Sequence, residues 1–328
     1  LSLRPAGEGK EERMVFLTLH HIVSDAWSRG VLVRELAELV AALVAGRPSS
    51  LPELPIQYAD FASWQRAWLS GEVLERHLAW WRRELAGAPT VLELPTDRSY
   101  PPVSGSAGAL ESFELPPEVA AGLLAVGRRE GATLFMTLLL GFVALLNRYT
   151  GQRDLLVGSP VANRNRLETE GLIGFFINTL VLRGDLSGEP SCRLLLRRLR
   201  EVTLGAYAHQ DLPFERLVEE LAPERHMGRS PLFQVMLVLQ NAPRREVGLP
   251  GLELQSVEVE SGTAKFDLQL TFAEGPGVAG SIAYRVDLFD RATIARMVGH
   301  LGTLLGGLAA DPERRIAELP LLTSAEAA

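Results

Sequence analysis

Cysteine occurs once in this 328-residue sequence, at position 192, which excludes an intrachain disulfide and any CxxC site and suits a reducing compartment. A packing role at the start of a helix is expected for Cys192. Basic residues are in the minority. The 33 lysines and arginines against 40 aspartates and glutamates leave a net charge of −7, which argues against nucleic acid as the main partner. Long apolar runs are missing too. The longest uncharged stretch, Ala132 to Leu146, is too short to span a bilayer and reads as a buried core helix capped by Thr133. No export signal, short repeat or low-complexity tract is visible. With 47% hydrophobic and 22% charged residues, the chain can bury one large core or two medium ones.

The densest chemistry lies in MVFLTLHHIVSDAWS, residues 14 to 28. Met14 to Leu19 reads as a buried strand. Leu32, Leu36, Leu39 and Leu43 then recur at helical spacing until Gly46 and Pro48 stop the helix. His20, His21 and Asp25 therefore fall on a strand-to-helix junction. Neighbouring side chains at a strand end point to opposite faces, so one imidazole is the candidate reagent and the other its support. Asp25 can also be read as a helix N-cap. A metal site needs further ligands nearby, and Ile22, Val23, Ala26 and Trp27 supply none, so no metal is expected.

HHIVSDAWS resembles the HHxxxDG signature of condensation domains in nonribosomal peptide synthetases, members of the chloramphenicol acetyltransferase-like superfamily. Further segments match in the family's order: YADFASW at 58 to 64, IGFFINT at 173 to 179 with Arg183 beyond, HQDLPFE at 209 to 215, and RHMGRSPLFQVM at 225 to 236. TAKFDL at 263 to 268 also resembles the family, and ELPLLTSAE at 318 to 326 resembles a linker toward an adenylation domain. The family's two earliest motifs have no counterpart in residues 1 to 13, so an incomplete first lobe is expected.

The resemblance implies an α/β fold of two acetyltransferase-like lobes in a V-shaped pseudo-dimer, each a sheet covered by helices. It divides the chain into a remainder of the first lobe at 1–94, a Pro/Gly/Ser-rich linker at 95–107, a second lobe at 108–312, and the start of the adenylation linker at 313–328. Within the second lobe, helices are expected near 117–130, at 191–208 and near 290–308. Strands are expected at DLLVGSP, NTLVLR, LFQVMLVLQ, KFDLQLTF and VAGSIAYRV. GPGVAG at 275 to 280 has dinucleotide-loop spacing but lies between two strands, so it reads as a hairpin turn.

The implied activity is amide formation between a donor acyl or peptidyl thioester and an acceptor aminoacyl thioester, in the cytoplasm. The partners implied are upstream donor and downstream acceptor peptidyl carrier proteins and an adjacent adenylation domain, with neither nucleic acid nor membrane. No cofactor is expected in the domain itself; the carriers' 4′-phosphopantetheine arms bear the substrates. By the resemblance His21 handles the amine, His20 supports it, and Asp25 pairs with Arg183. Asn178, Ser24 and Trp27 are placed along the substrate channel, and Asn178 reads equally as a turn residue at a strand end. The family's glycine after the aspartate is Ala26 here, tolerable if that residue is already helical. In HQDLPFERL, Asp211 before Pro213 reads as a helix cap, and Trp64 as a packing aromatic. An epimerisation domain and a degenerate docking module are the rival readings. The histidine pair argues against a heterocyclisation domain, and the synthetase-like tail against a stand-alone acyltransferase.

Overall fold

The computed structural model describes residues 2–5, 13–102, 105–221, 229–240, 262–275 and 277–327. Residues 225–228 of RHMGRSPLFQVM, Val103 and Ser104 of the linker, and Pro276 of the glycine turn lie outside them. Two compact units emerge. The first takes the chain to Trp68 together with 162–177 and 242–257, and the second takes 69–161, 178–241 and 258–328. This corrects the boundary read at 95–107. Leu78, Trp81, Leu92 and Leu94 are buried in the core of the second unit, because their apolar side chains pack with its helices.

In the first unit β1 (Ser2–Pro5) and β2 (Arg13–Phe16) pair antiparallel. The strand read over 14 to 19 is thus shorter and ends before the histidines. α1 (Ala26–Val44) follows, then α2 (Tyr58–Trp68). The leucine stripe marks the helix but not its buried face: Val31 and Ala42 are buried, whereas Leu36, Leu39 and Leu43 are exposed among the described residues. Phe61 of α2, Leu172 and Phe176 form a small core, with Tyr58 and Trp64 packed against it.

The second unit opens with α3 (Gly71–Glu84), β3 (Gly108–Leu115), α4 (Pro117–Glu130), α5 (Leu134–Thr150) and β4 (Asp154–Val161). After the short α6 (Leu167–Glu170) of the first unit come β5 (Asn178–Asp185), α7 (Cys192–Ala208), α8 (Phe214–Leu221) and β6 (Val235–Gln240). β7 (Leu268–Glu274), β8 (Val278–Arg285) and α9 (Arg291–Ala310) complete it. The six strands form one mixed sheet in the order β3-β8-β7-β6-β4-β5. β6 runs parallel to both β4 and β7, and the other neighbours are antiparallel. Gly158 in β4 has no room for a side chain because the Phe233 ring lies against it. β7 and β8 pair directly across the glycine turn, as a hairpin requires.

α5 is apolar all round, and every residue from Leu134 to Leu146 is buried, as its sequence anticipates. Thr133 caps it by accepting the Met136 N–H at 3.4 Å. No single helix among the described residues is long and apolar enough to cross a membrane. Cys192 opens α7 with its side chain fully buried, and burial pushes its thiol up to about 12. Reaction with a thiol reagent at pH 8 is therefore expected only after denaturant is added; stoichiometric labelling of native protein would contradict this burial.

Candidate functional site

The histidine motif forms a turn followed by a helix, and each of its polar residues has a separate task. His20 is extended and accepts the Ile22 N–H at Nδ1, 3.1 Å away, capping the 3-10 turn His21–Val23. That bond commits Nδ1 as an acceptor, so the neutral ring carries its proton on Nε2. His21 is exposed and lies edge-on to the Phe175 ring, with centroids 5.2 Å apart and planes at 82°. Its ring nitrogens have no hydrogen-bond partner among the described residues. Both residues are exposed, and β2 ends at Phe16, so neither histidine lies at the strand end from which the opposite-face arrangement is expected.

Asp25 is extended and caps α1: Oδ1 accepts the Ser28 N–H at 2.7 Å. The same carboxylate is an ion-pair partner. Arg164 Nη2 lies 3.3 Å from Oδ1 and 3.5 Å from Oδ2, and the Phe176 N–H donates to Oδ2 at 3.0 Å. The two side chains are only 3% and 1% exposed, for Asp25 and Arg164 respectively. Burial pushes the Asp25 carboxyl up, but the Ser28 and Phe176 hydrogen bonds and the Arg164 charge together hold it below its ordinary value.

Arg164 is the residue that sequence reasoning missed. Besides Asp25 it donates through Nη1 to the carbonyls of Thr169 and Leu172, and through Nη2 to Ser28 Oγ at 2.8 Å. Its guanidinium lies 4.0 Å from the centre of the Phe176 ring. The one signal in the sequence is the basic NRNR stretch directly after a strand-like run. Ser28 was missed as well. It is buried, donates to the Gly174 carbonyl at 2.7 Å and accepts the Gly174 N–H at 3.1 Å.

The expected Asp25–Arg183 pair is corrected accordingly. Arg183 in β5 grips Asp154 of β4 with two bonds, Nε to Oδ1 at 2.9 Å and Nη2 to Oδ2 at 2.7 Å. Its Nη1 satisfies the Glu84 and Ala86 carbonyls at the end of α3. The two carboxylates thus have different guanidiniums, each supplied within its own unit.

Asn178 is also corrected. Its amide nitrogen donates to the Gln210 and Leu212 carbonyls at 2.7 and 2.8 Å, and its oxygen accepts the Thr179 and Phe214 N–H groups at 2.8 and 3.0 Å. Both donors and both acceptor positions are used, so none remains for an oxyanion. Asn178 instead clips the HQDLPFE loop and accepts the Phe214 N–H that opens α8. Asn178→Asp is expected to destabilise the second unit by about 1 to 3 kcal/mol, since it sets a carboxylate oxygen against two carbonyls. An unchanged midpoint in urea unfolding would contradict this.

Ser24 is buried and Trp27 half-buried, with the indole N–H donating to the Glu170 carbonyl at 2.9 Å. Ala26 is the first residue of α1, so the family glycine's conformational freedom is not needed here. Trp64 packs on Phe61 as expected and also stacks under the Arg166 guanidinium at 4.2 Å.

The first unit thus holds one exposed imidazole beside an apolar ring, on a turn anchored by a buried ion pair. The profile of the family described as Condensation domain matches residues 7–328. One of the subunits of linear gramicidin synthase from Brevibacillus parabrevis is 52% identical over 320 residues, covering 97% of this chain and 4% of that protein. Among solved structures, the teicoplanin-biosynthesis X-domain in its complex with OxyB superposes with a TM-score of 0.83 at 30% identity, over 93% of this chain and 69% of that one. A four-domain nonribosomal peptide synthetase, AB3403, bound to AMP and glycine, superposes with a TM-score of 0.83 at 26% identity, over 93% of this chain and 24% of that one.

Proposed function

Because this chain belongs to the condensation-domain family, we propose that it forms the amide bond in nonribosomal peptide synthesis, with His21 as the reacting histidine. The chain spans a small part of its curated relatives, so substrates and partners belong to the proposal as well. The substrates are two thioesters carried on 4′-phosphopantetheine arms, one brought by a donor carrier and one by an acceptor carrier. An adenylation domain on the same polypeptide loads the acceptor, in the cytoplasm.

The amine nitrogen of the acceptor aminoacyl group attacks the donor thioester carbon. A C–N bond forms, the C–S bond breaks, and the amine proton ends on the departing thiolate. Such an amine has a pKa of about 7.7 to 8.0 and is mostly protonated near pH 7, so a proton must leave before or during attack. The His21 imidazole takes this proton or holds the neutral amine in line, and no enzyme nucleophile is needed because the thioester is already activated. One observation carries the assignment: His20 Nδ1 is committed to the turn, whereas the His21 ring has no such bond among the described residues. Orientation of the tethered partners contributes on the order of 7 to 11 kcal/mol.

The test uses the full-length polypeptide with a loaded donor and a loaded acceptor carrier. The mass of the intact acceptor should rise by the donor acyl group. A competing reading, a docking module without transfer, draws on the likeness to an X-domain found in complex with OxyB. Two carriers that leave unchanged in mass would favour it.

A further inference from the structure

We propose that Phe175 is a positioning residue that holds the His21 imidazole in its working orientation. This rests on His21 being the reacting histidine. Three consecutive residues, Gly174 to Phe176, are clamped by their backbone. Gly174 is bonded at both N–H and carbonyl by the Ser28 hydroxyl. The Phe175 carbonyl accepts the Tyr58 hydroxyl at 2.8 Å, and the Phe176 N–H donates to Asp25. Tyr58 also lies so close to Gly174 that a Cβ there would collide with its ring. The position of the Phe175 backbone, and with it the Cα–Cβ direction from which its ring extends, is therefore set by bonds on either side of it.

The two phenylalanines in this clamp go different ways. Phe176 is 3% exposed and packs with Phe61 and Leu172 under Arg164. Phe175 is 37% exposed, stands outside that small core, and turns its ring to His21. Core packing accounts for the first and leaves the second unexplained. The bonds at Phe175 and its neighbours fix this backbone whatever its side chain, so a task for the ring lies in the ring it faces, that of His21.

That task follows from what else constrains His21. Its backbone is fixed by the 3-10 turn, where the Ser24 N–H bonds to its carbonyl. Its ring nitrogens make no hydrogen bond among the described residues, so only neighbouring surfaces limit rotation about χ1 and χ2. An edge-to-face aromatic contact is directional because of the ring quadrupole, and an aliphatic side chain of similar bulk lacks that directionality. The clamp therefore acts on His21 through Phe175: Asp25 and Ser28 fix the segment, and the ring transmits that placement to the imidazole. Misplacement of a reacting group by about 1 Å costs on the order of 10²-fold in rate, which bounds the effect of losing the ring.

The experiment compares wild type, His21→Ala, Phe175→Ala, Phe175→Leu and Phe175→Tyr in the full-length polypeptide, using loaded carriers and single-turnover kinetics. Phe175→Ala and Phe175→Leu are expected to lose roughly 10- to 100-fold in kcat, with KM for the acceptor carrier within about twofold. Phe175→Tyr, which restores a ring, should recover most of that loss. Thermal midpoints of the three variants should stay close to wild type because the ring is outside the core. Unchanged kcat in Phe175→Ala, a loss confined to KM, or a loss in Phe175→Tyr equal to that in Phe175→Ala would each overturn the positioning role. His21→Ala separates the two ideas. If it turns over like wild type, both fail; if it is dead while Phe175→Ala is unimpaired, only the inference about Phe175 fails.

Discussion

Replacing His21 with alanine is expected to lower amide formation by roughly 10² to 10⁴, the range for a positioned proton-transfer group. On the proposed role for His21 the loss should appear in kcat, with KM for the carriers little changed. His20→Ala should behave differently. It removes the acceptor of the Ile22 N–H, so the turn that presents His21 loosens, and the cost is that of a lost cap, about 0.5 to 2 kcal/mol of local stability. Comparing the two in one assay, with loaded carriers and folding checked by circular dichroism, distinguishes reagent from support. A folded His21→Ala protein that transfers the donor group at the wild-type rate would remove His21 from the chemistry.

Asp25 and Arg164 carry the second large effect. Both side chains are almost wholly buried, so removing either partner strands the other charge, at a cost of about 3 to 5 kcal/mol. A double-mutant cycle of Asp25→Ala with Arg164→Met should show strong coupling, and the same cycle with Arg183→Met should show none. Coupling to Arg183 but not to Arg164 would reverse the assignment made from the geometry. The pH dependence has a definite sign. The folded carboxyl lies below its ordinary value of 3.8, so the contribution of the pair is complete above that value and is lost only as pH falls through the lower folded value. Acid unfolding of the Asp25→Ala variant should lack this step.

Much of the fold was legible because it rests on local pattern. α4, α7 and α9 fall within a residue or two of the expected spans, since apolar spacing and caps fix helices over short stretches. α5 could be read as buried because it has no polar face to turn outward. The site was legible in part. The capping role of Asp25 follows from its own neighbours, whereas its ionic partner depends on the path of the 162–177 segment, which no short-range rule contains. The resemblance pointed to the arginine after IGFFINT, and the strand pairing of β4 with β5 instead sets Arg183 beside Asp154. Asn178 misled for a related reason. An amide near a motif suggests a donor to substrate, and only the positions of Gln210, Leu212 and Phe214 reveal that its hydrogen-bonding capacity is spent.

The Asp25–Arg164 pair also has a consequence for the order of assembly during synthesis. The two residues are separated by 139 positions, and Ser28 meets Gly174 across 146. At about 5 to 20 residues per second, Asp25 is made roughly 7 to 28 s before its partner. Throughout that interval the histidine turn lacks its anchor. Contacts of such long sequence separation must also overcome the entropy of closing a large loop before they contribute anything. The histidine turn therefore cannot take up its anchored form until Arg164 has been made, and a nascent chain halted between Asp25 and Arg164 would carry both histidines without the means to hold them.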